Sequence, residues 1–230
     1  MNNYLVIGGS SGIGLSLSEI LAKQGHKVHI ASRQAPPIDI PRCIHQVYDA
    51  LTGCLYLEVE HLEGLAYCPG TINLKPFHRL TPEDFRNDFD LNVIGAVRVI
   101  QQALPLLKKA KRASIVLFST VAVHQGLLFH ALVASAKAAL EGLGRSLAAE
   151  LAPKIRVNVI APSITDTPLA EKLFNTPEKR DASASRHPLS RIGKAEDQGA
   201  AAAFLLNRGS SWITGQTLNV DGGMSKIRSL

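Results

Sequence analysis

A glycine-rich turn joins an apolar strand to a helix at the start of the chain. The strand is Tyr4-Leu5-Val6-Ile7, and a helical pattern follows from Ile13 to Lys23. Gly8 permits a tight turn, Gly12 lets the backbone approach a ligand, and Gly14 lets the helix pack closely on the strand. The free N–H groups of a helix N-terminus then favour the pyrophosphate of a dinucleotide. The residues predicted to hold it are Gly8, Ser10, Ser11, Gly12, Ile13 and Gly14.

Short apolar strands alternate with helical patterns along the whole chain, an order typical of a parallel sheet covered by helices. The sequence therefore predicts an α/β fold: a Rossmann-like doubly wound parallel sheet of about seven strands with helices on both faces. We see no repeat or linker, so residues 1–230 are expected to form a single domain. The expected strands are 4–7, 27–31, 43–47, 65–67, 114–118, 155–160 and 216–220.

The helical patterns differ in clarity. In the clearest, Thr81 is the expected N-cap and Pro82 the first helical residue. Its expected apolar face consists of Phe85, Phe89, Val93, Ala96, Val97 and Ile100. Further helices are expected at about 131–151 and 195–206, whereas residues 49–63 have only weak helical character.

The composition, with 46% hydrophobic and 19% charged residues, is ordinary for a soluble globular protein. No apolar run approaches the roughly 18 residues of a membrane span, and no secretory leader is visible. The three cysteines lack CxxC spacing, which predicts free thiols in a reducing cytoplasm, without disulfides or a metal site. We therefore expect a cytoplasmic protein with no membrane partner.

The chain has a formal net charge of +6, and its one basic cluster covers residues 108–112. That cluster ends a predicted helix, where positive charge is favourable. A nucleic-acid patch is the alternative, but no aromatic residues are interleaved, so no nucleic-acid partner is expected. An anionic cofactor or acyl substrate would also suit a mildly basic surface.

Arg33 follows the second predicted strand, where an acidic residue would bind the ribose 2′-hydroxyl of NAD. An arginine instead suits the 2′-phosphate of NADP, and no acidic residue follows before Asp39. The alternative is a solvated surface arginine. Asp49, just beyond the third strand, is placed to accept a hydrogen bond from an adenine amino group. The sequence thus favours NADP(H) as the cofactor.

Several further motifs follow the glycine-rich turn. They are Tyr67-Cys68-Pro69-Gly70, Asp90-Leu91-Asn92-Val93, Arg156-Val157-Asn158-Val159-Ile160-Ala161-Pro162, Thr165-Asp166-Thr167-Pro168 and the segment 213–223. In this order they resemble the short-chain dehydrogenase/reductase family, in its β-ketoacyl-reductase-like branch, over nearly the whole chain. Tyr67-Cys68-Pro69 departs from the family's Asn-Asn-Ala, and Ile7 stands in place of a threonine. The resemblance implies that Gly70, Thr165 and Thr167 contact the cofactor.

The family transfers a hydride between nicotinamide and a carbonyl carbon, while a tyrosine moves the proton. By resemblance, Lys137 holds the ribose hydroxyls, and Thr120 or the neighbouring Ser119 orients the carbonyl. Asn92 supports a water relay to the lysine, or alternatively acts as a core amide that braces a helix kink. The tyrosine position, four residues before Lys137, is occupied by Val133.

Three accounts of the missing tyrosine are open. His130, two turns before Lys137 on the same helix face, donates the proton, with His124 as a poorer candidate. Alternatively, the substrate is an activated alkene, and water or Lys137 completes its protonation. In the third account the chain is a catalytically silent NADP(H)-binding sensor, partner subunit or scaffold. The prediction is an NADP(H)-dependent oxidoreductase with a non-standard proton donor, and the silent protein is its alternative.

Residues 163–191 resemble the family's mobile substrate lid. Their apolar residues predict a cavity wall, and their basic residues could guide an anionic substrate, although an ordinary amphipathic surface helix is an equal alternative. The apolar set is Leu169, Leu173, Phe174, Pro188 and Leu189, and the basic set is Lys172, Lys179, Arg180 and Arg186. The expected substrate is a small carbonyl or acyl compound.

A homodimer or homotetramer is the expected assembly. Relatives pair the helix corresponding to residues 131–151 across a two-fold axis, and build a second contact from the segment at 212–223. Small residues on that helix permit the close approach of another helix. They are Ala134, Ala138, Gly142 and Ala149.

Overall fold

Seven parallel strands form one continuous sheet in a computed structural model of the chain, which describes residues 1–227. Together with a separate pair, the described residues form nine strands: β1 (Asn3–Ile7), β2 (Lys27–Ser32), β3 (Cys43–Val47), β4 (Gly64–Tyr67), β5 (Ala113–Phe118), β6 (Ile155–Pro162), β7 (Thr165–Asp166), β8 (Gly193–Lys194) and β9 (Thr217–Val220). The main sheet has the order β3-β2-β1-β4-β5-β6-β9, and β7 pairs with β8 beside it. This confirms the predicted doubly wound α/β fold.

Helices cover both faces of the sheet. They are α1 (Gly12–Lys23), α2 (Pro82–Phe89), α3 (Gly95–Lys109), α4 (Ala131–Leu151), α5 (Pro177–Ala184) and α6 (Ala195–Leu206). Because side chains alternate along a strand, β1 contributes Leu5 and Ile7 to one core and Tyr4 and Val6 to the other. The first core lies beneath α3 and α4, and the second lies beneath α1 and α6.

Most predicted elements agree with the structure within one or two residues, and the helices at 131–151 and 195–206 have the predicted bounds. The segment at 49–63, in contrast, contains no helix. Within residues 1–227, no helix is both long enough and apolar enough to cross a membrane.

The expected apolar face after Thr81 is wrong in part, because α2 does not run straight into α3. Residues 90–94 form a π-helical turn between them, and a π turn takes up extra residues, which breaks a spacing of three and four. As a result, Phe89 is 39% exposed and Val97 is only partly buried. The residues that are buried along this face are Asp88, Asn92, Val93, Ala96, Val99 and Ile100.

Two glycines on α4 provide a matched test of its packing against the sheet. A Cβ at Gly144 would lie 2.8 Å from Cγ2 of Val159 in β6, whereas a Cβ at Gly142 would meet nothing within 4 Å. Both alanine variants gain about 1 kcal/mol of helix propensity, but Gly144→Ala also overpacks the core, at a cost of about 1–3 kcal/mol. We expect Gly144→Ala to be less stable than Gly142→Ala by that cost in urea unfolding. Equal stability of the two variants would contradict this packing.

Candidate active site

The turn between β1 and α1 leaves a helix N-terminus free to bind an anion. Gly8 and Gly12 adopt left-handed φ angles of 74° and 50°, and a Cβ on Gly14 would collide with the carbonyl oxygen of Gly8. Ser11 is the N-cap of α1, yet its side chain makes no capping hydrogen bond. The first N–H groups of α1 are therefore available to a ligand.

A cavity of about 330 Å³ lies next to this turn, at the carboxyl ends of β4, β5 and β6. A ligand site in this position is typical of doubly wound sheets. The predicted site residues that line it are Ile13, Gly70, Ser119, Thr120, His130, Lys137, Thr165 and Thr167. The predicted residues outside its lining are Gly8, Ser10, Ser11, Gly12, Gly14, Arg33, Asp49 and Asn92.

Lys137 is the buried cation of the cavity, with a relative exposure of 6%. Burial lowers the pKa of its ammonium group to about 8, although the nearby Asp88 and Cys68 act in the opposite direction. A Cβ on Gly70 would lie 3.3 Å from Nζ of Lys137, so a side chain at this position would crowd the ammonium group. Within residues 1–227 the ammonium group makes no hydrogen bond, which leaves its donors available to a ligand.

Asn92 lies in the π turn, directly behind Gly70. Its Nδ2 donates to the carbonyl oxygen of Asp88 at 2.8 Å, so the amide does brace the irregular turn. Its Oδ1 is buried without a hydrogen-bond partner in the described chain, and a Cβ on Gly70 would lie 3.5 Å from it. Asn92 thus combines a bracing contact with an acceptor that remains unsatisfied beside Lys137 and Gly70.

The two hydroxyl candidates after β5 differ in where their protons point. Ser119 donates to Oε1 of the buried Glu141 at 2.6 Å, so towards the cavity it offers only lone pairs. Thr120 accepts from the N–H of Ala122 at 3.3 Å, and its own proton has no acceptor in the described chain. Thr120 is therefore the hydroxyl that can donate to a substrate carbonyl.

The other hydroxyls that line this cavity already have acceptors. Thr165 donates to the carbonyl of Ser163 at 3.0 Å, and Thr167 to that of Thr165 at 3.3 Å. Nδ1 of His187 lies 2.8 Å from the carbonyl oxygen of Ser183 and must carry its hydrogen there. In the neutral ring, Nε2 of His187 then accepts from Ser163 at 2.8 Å.

Met224 closes the cavity from the carboxyl-terminal segment. Its sulfur lies 3.0 Å from the hydroxyl of Ser163, and its carbonyl accepts from Nε2 of Gln125 at 2.9 Å. These contacts join the segments that follow β5, β6 and β9 into one wall.

No tyrosine is among the described residues that line the cavity, and the four tyrosines of the chain are Tyr4, Tyr48, Tyr56 and Tyr67. Val133 lies in the wall one helical turn before Lys137. His130 also lines the cavity, and its Nδ1 lies 2.7 Å from the carbonyl oxygen of Leu128. Because a carbonyl only accepts, Nδ1 carries the hydrogen, and Nε2 of the neutral ring can only accept.

The predicted adenine-side residues lie away from the cavity. Arg33 is exposed just beyond β2. Asp49 is partly buried, and its Oδ1 accepts from the N–H of Leu51 at 2.8 Å. Tyr67 donates to the carbonyl of Leu91 at 2.5 Å, so the side chain that departs from the family motif anchors the π turn to β4.

Residues 163–191, the segment expected to form a lid, supply part of the cavity wall. Leu169, Leu173 and Arg186 line the cavity, but Phe174 instead packs with Ala170 and Ile192. Arg180 donates a hydrogen bond to Oδ2 of Asp166 at 2.9 Å, and Nζ of Lys179 donates one to Oδ1 of Asn175 at 3.0 Å. Both side chains are held in these contacts, so neither faces the cavity.

Sequence reasoning missed several polar residues at this site. Glu141 lies among otherwise apolar neighbours and His187 within a mostly polar segment of the sequence, and only the structure shows their partners. Asp88 and Thr71 carried no signal, since each reads as an ordinary surface residue. The residues that were missed are Thr71, Asp88, Glu141, Ser163, His187 and Met224.

Comparisons with known proteins relate this chain and its fold to one family. The family model described as enoyl-(acyl carrier protein) reductase matches residues 43–225. A tropinone reductase homologue of Arabidopsis thaliana is 34% identical over 96% of this chain and 89% of its own length. The ligand-free aldohexose dehydrogenase of Thermoplasma acidophilum superposes with a TM-score of 0.90 at 27% identity, covering 100% of this chain and 96% of that chain. The NADP-bound structure of ElxO gives a TM-score of 0.87 at 25% identity, covering 97% and 99%.

The chain therefore belongs to the short-chain dehydrogenase/reductase family of oxidoreductases.

Burial of Lys137 makes the stability of the protein depend on pH in a defined direction. The pKa of this lysine is about 8 in the folded chain, against 10.5 for an ordinary lysine, so the folded state binds fewer protons between these values. The free-energy penalty for burying the protonated lysine is complete below pH 8 and disappears as the pH approaches 10.5. The quantity to compare is the free energy of unfolding of Lys137→Met minus that of the wild type. We expect this difference to be about 3 kcal/mol more favourable to the variant below pH 8 than near pH 10.5.

Urea unfolding of both proteins at the two ends of this range measures the difference. Lys154→Met, which removes one exposed positive charge, is the control. A stability gap for Lys137→Met that is the same at both pH values would contradict the burial penalty.

Proposed function

We propose that this protein is an NADP(H)-dependent carbonyl reductase whose proton donor is not a tyrosine. The observation that carries the proposal is the pairing of Thr120, a free hydroxyl donor, with the buried cation Lys137 in one apolar cavity beside the glycine-rich turn. An activated alkene is the second substrate class that this cavity would suit. The comparisons, which are with enzymes, do not favour the catalytically silent alternative.

The residues present fit a nicotinamide dinucleotide. The uncapped start of α1 would hold the pyrophosphate, because its first N–H groups have no side-chain cap. Lys137 would hold the ribose hydroxyls with donors that have no other partner. Gly70 leaves a cradle that a Cβ would fill, and the unpartnered Oδ1 of Asn92 faces it. When bound, the cofactor supplies the hydride.

The protein's own residues then orient and polarise the carbonyl. Thr120 donates a hydrogen bond to the carbonyl oxygen, where negative charge develops during hydride transfer. The ammonium group of Lys137 stabilises the same charge, and its effect is strengthened because the lysine is itself buried. The apolar wall, which includes Val133 and Leu173, packs against the substrate and excludes water.

NADP(H) preference rests on Arg33, which lies exposed beyond β2 where it can meet a 2′-phosphate. The NADP bound in ElxO supports the same preference. We propose further that the protein is cytoplasmic and homo-oligomeric, without a nucleic-acid partner. The free state of its three cysteines and the small residues on α4 support the first two points.

Fluorescence titration with NADPH and NADH, followed by a panel of carbonyl and enone substrates, tests the proposed function. We expect NADPH to bind more tightly than NADH and to be oxidised by at least one carbonyl substrate. Absence of binding would contradict the cofactor assignment. Tight NADPH binding without NADPH oxidation, both in the wild type and in a Val133→Tyr variant, would contradict the reductase and favour the catalytically silent binding protein.

Arg33→Ala is expected to weaken NADPH binding by about tenfold or more, because a charged hydrogen bond to the 2′-phosphate is lost. Binding of NADH, which has no such phosphate, should change little. Arg208→Ala is the control, since Arg208 is also exposed but lies near the amino end of β1, at the opposite edge of the sheet. Equal weakening of NADPH and NADH binding in Arg33→Ala would refute the assignment.

A further inference from the structure

Asp88 is a buried carboxyl group that the proposed mechanism leaves unused. It lies in the last turn of α2 and is 4% exposed. Its Oδ1 accepts from the hydroxyl of Thr71, whereas Oδ2 has no partner in the described chain. An ionised carboxylate with a buried, unpaired oxygen is costly, but a carboxylic acid needs fewer partners. The surroundings of Asp88 therefore favour its protonated form.

Thr71 connects this acid to the cavity, because it is one of the residues that line the cavity. Its oxygen also lies 3.5 Å from Nδ2 of Asn92, which can donate to it. When Asp88 is protonated, the acid donates to Thr71, and the hydroxyl proton of Thr71 is free to point into the cavity. A continuous path for a proton thus leads from a buried acid to the substrate space.

Few charged or titratable groups face Asp88. Burial raises the pKa of Asp88, although Thr71 and the ammonium group of Lys137 on α4 act to lower it. Cys68, at the end of β4, lies beside Lys137 and is neutral, since burial raises the pKa of its thiol to about 12. On α2 itself, Oδ2 of Asp84 already accepts a hydrogen bond from the backbone N–H of Thr81 at 2.8 Å.

We propose that Asp88 supplies, through the hydroxyl of Thr71, the proton that completes carbonyl reduction. This inference rests on the proposed reductase function and names the donor that replaces the missing tyrosine. The carbonyl carbon gains the hydride that NADPH loses, and the carbonyl oxygen gains the proton of Thr71. Thr71 takes the proton of Asp88, NADP⁺ and the alcohol leave, and the Asp88 carboxylate regains a proton from solvent.

The other cavity groups are poorer donors in this structure. The Nδ1–H of His130 is held by the carbonyl of Leu128, so this ring could give the cavity a proton only from Nε2 of its protonated form, and in the described chain no acid is bonded to it that would restore that proton. Ser119 and Ser163 donate to Glu141 and to His187. Thr120 can orient the carbonyl, but no buried acid is bonded to it that would restore its proton.

The test is the pH dependence of single-turnover reduction by NADPH, using the carbonyl compound that the wild type reduces fastest. An acid donor must be protonated, so the wild-type rate should fall as the pH rises through the raised pKa of Asp88. Asp88→Asn should lower the rate by about 10²-fold or more and abolish that dependence. A remaining decline near pH 8 would belong to Lys137.

Three further variants separate proton delivery from a structural role. Thr71→Val should lose rate as Asp88→Asn does, whereas Thr71→Ser, which keeps the hydroxyl, should restore it. Asp90→Asn, two residues along at an exposed position, is the matched control and should behave as the wild type. NADPH affinity and substrate KM should stay within about threefold in all of them, since binding residues are retained. His130→Ala, which removes the rival donor, should keep the wild-type pH profile.

A second readout does not depend on turnover. The infrared carbonyl band of a protonated carboxylic acid should titrate in the wild type over the same pH range as the reduction rate. Among the variants, only Asp88→Asn should lack this band. Absence of this band in the wild type, or an unchanged pH profile in Asp88→Asn, would overturn the relay while leaving the reductase function in place. A wild type that binds NADPH and reduces no carbonyl would overturn both.

Discussion

The parallel arrangement of β4, β5 and β6 is the constraint on which the site depends. Parallel neighbours end at the same edge of a sheet, so the residues that follow each strand meet around one cavity. Gly70 arrives from β4, Thr120 from β5 and Ser163 from β6. Residues about 90 positions apart in sequence thereby become neighbours, because the strands before them are paired in the sheet rather than the residues themselves. The glycine-rich turn after β1 ends at the same edge, which brings an anion site next to the cavity.

Within this frame, the chemistry depends on which donors are already occupied. Ser119, Ser163, Thr165 and Thr167 each give their proton to a protein acceptor, and this leaves Thr120, Lys137 and, when Asp88 is protonated, Thr71 as donors towards a ligand. Burial of Lys137 costs stability. It also strengthens the electrostatic effect of the ammonium group on a ligand, because less water screens the charge. The fold therefore determines the roles of chemically similar side chains through hydrogen-bond direction as much as through position.

The sequence predicts most of the fold because apolar spacing and capping residues report local structure directly. Lys137 and Asn92 were predicted from the resemblance to the family, and the structure places both side chains beside Gly70. It does not reveal the π turn at residues 90–94, since an irregular turn leaves no periodic signal and displaces Phe89 from the expected face. The choice between Ser119 and Thr120 was equally hidden, because it depends on the side chain of Glu141, one helical turn beyond Lys137.

The buried acid Asp88 could not be recognised from the sequence for a related reason. Polar residues at the end of a short amphipathic helix are usually exposed, and only the packing of α2 against α4 encloses this one. Its partner Thr71 follows a glycine in a loop, where a threonine has no distinctive pattern. The structure alone brings the two side chains together.

Met224 has a consequence for how the protein is handled. Its sulfur touches Ser163 and its carbonyl holds Gln125, so a residue close to the carboxyl terminus is part of the cavity wall. Truncation before this residue would open the cavity to solvent, even though the whole parallel sheet would be kept.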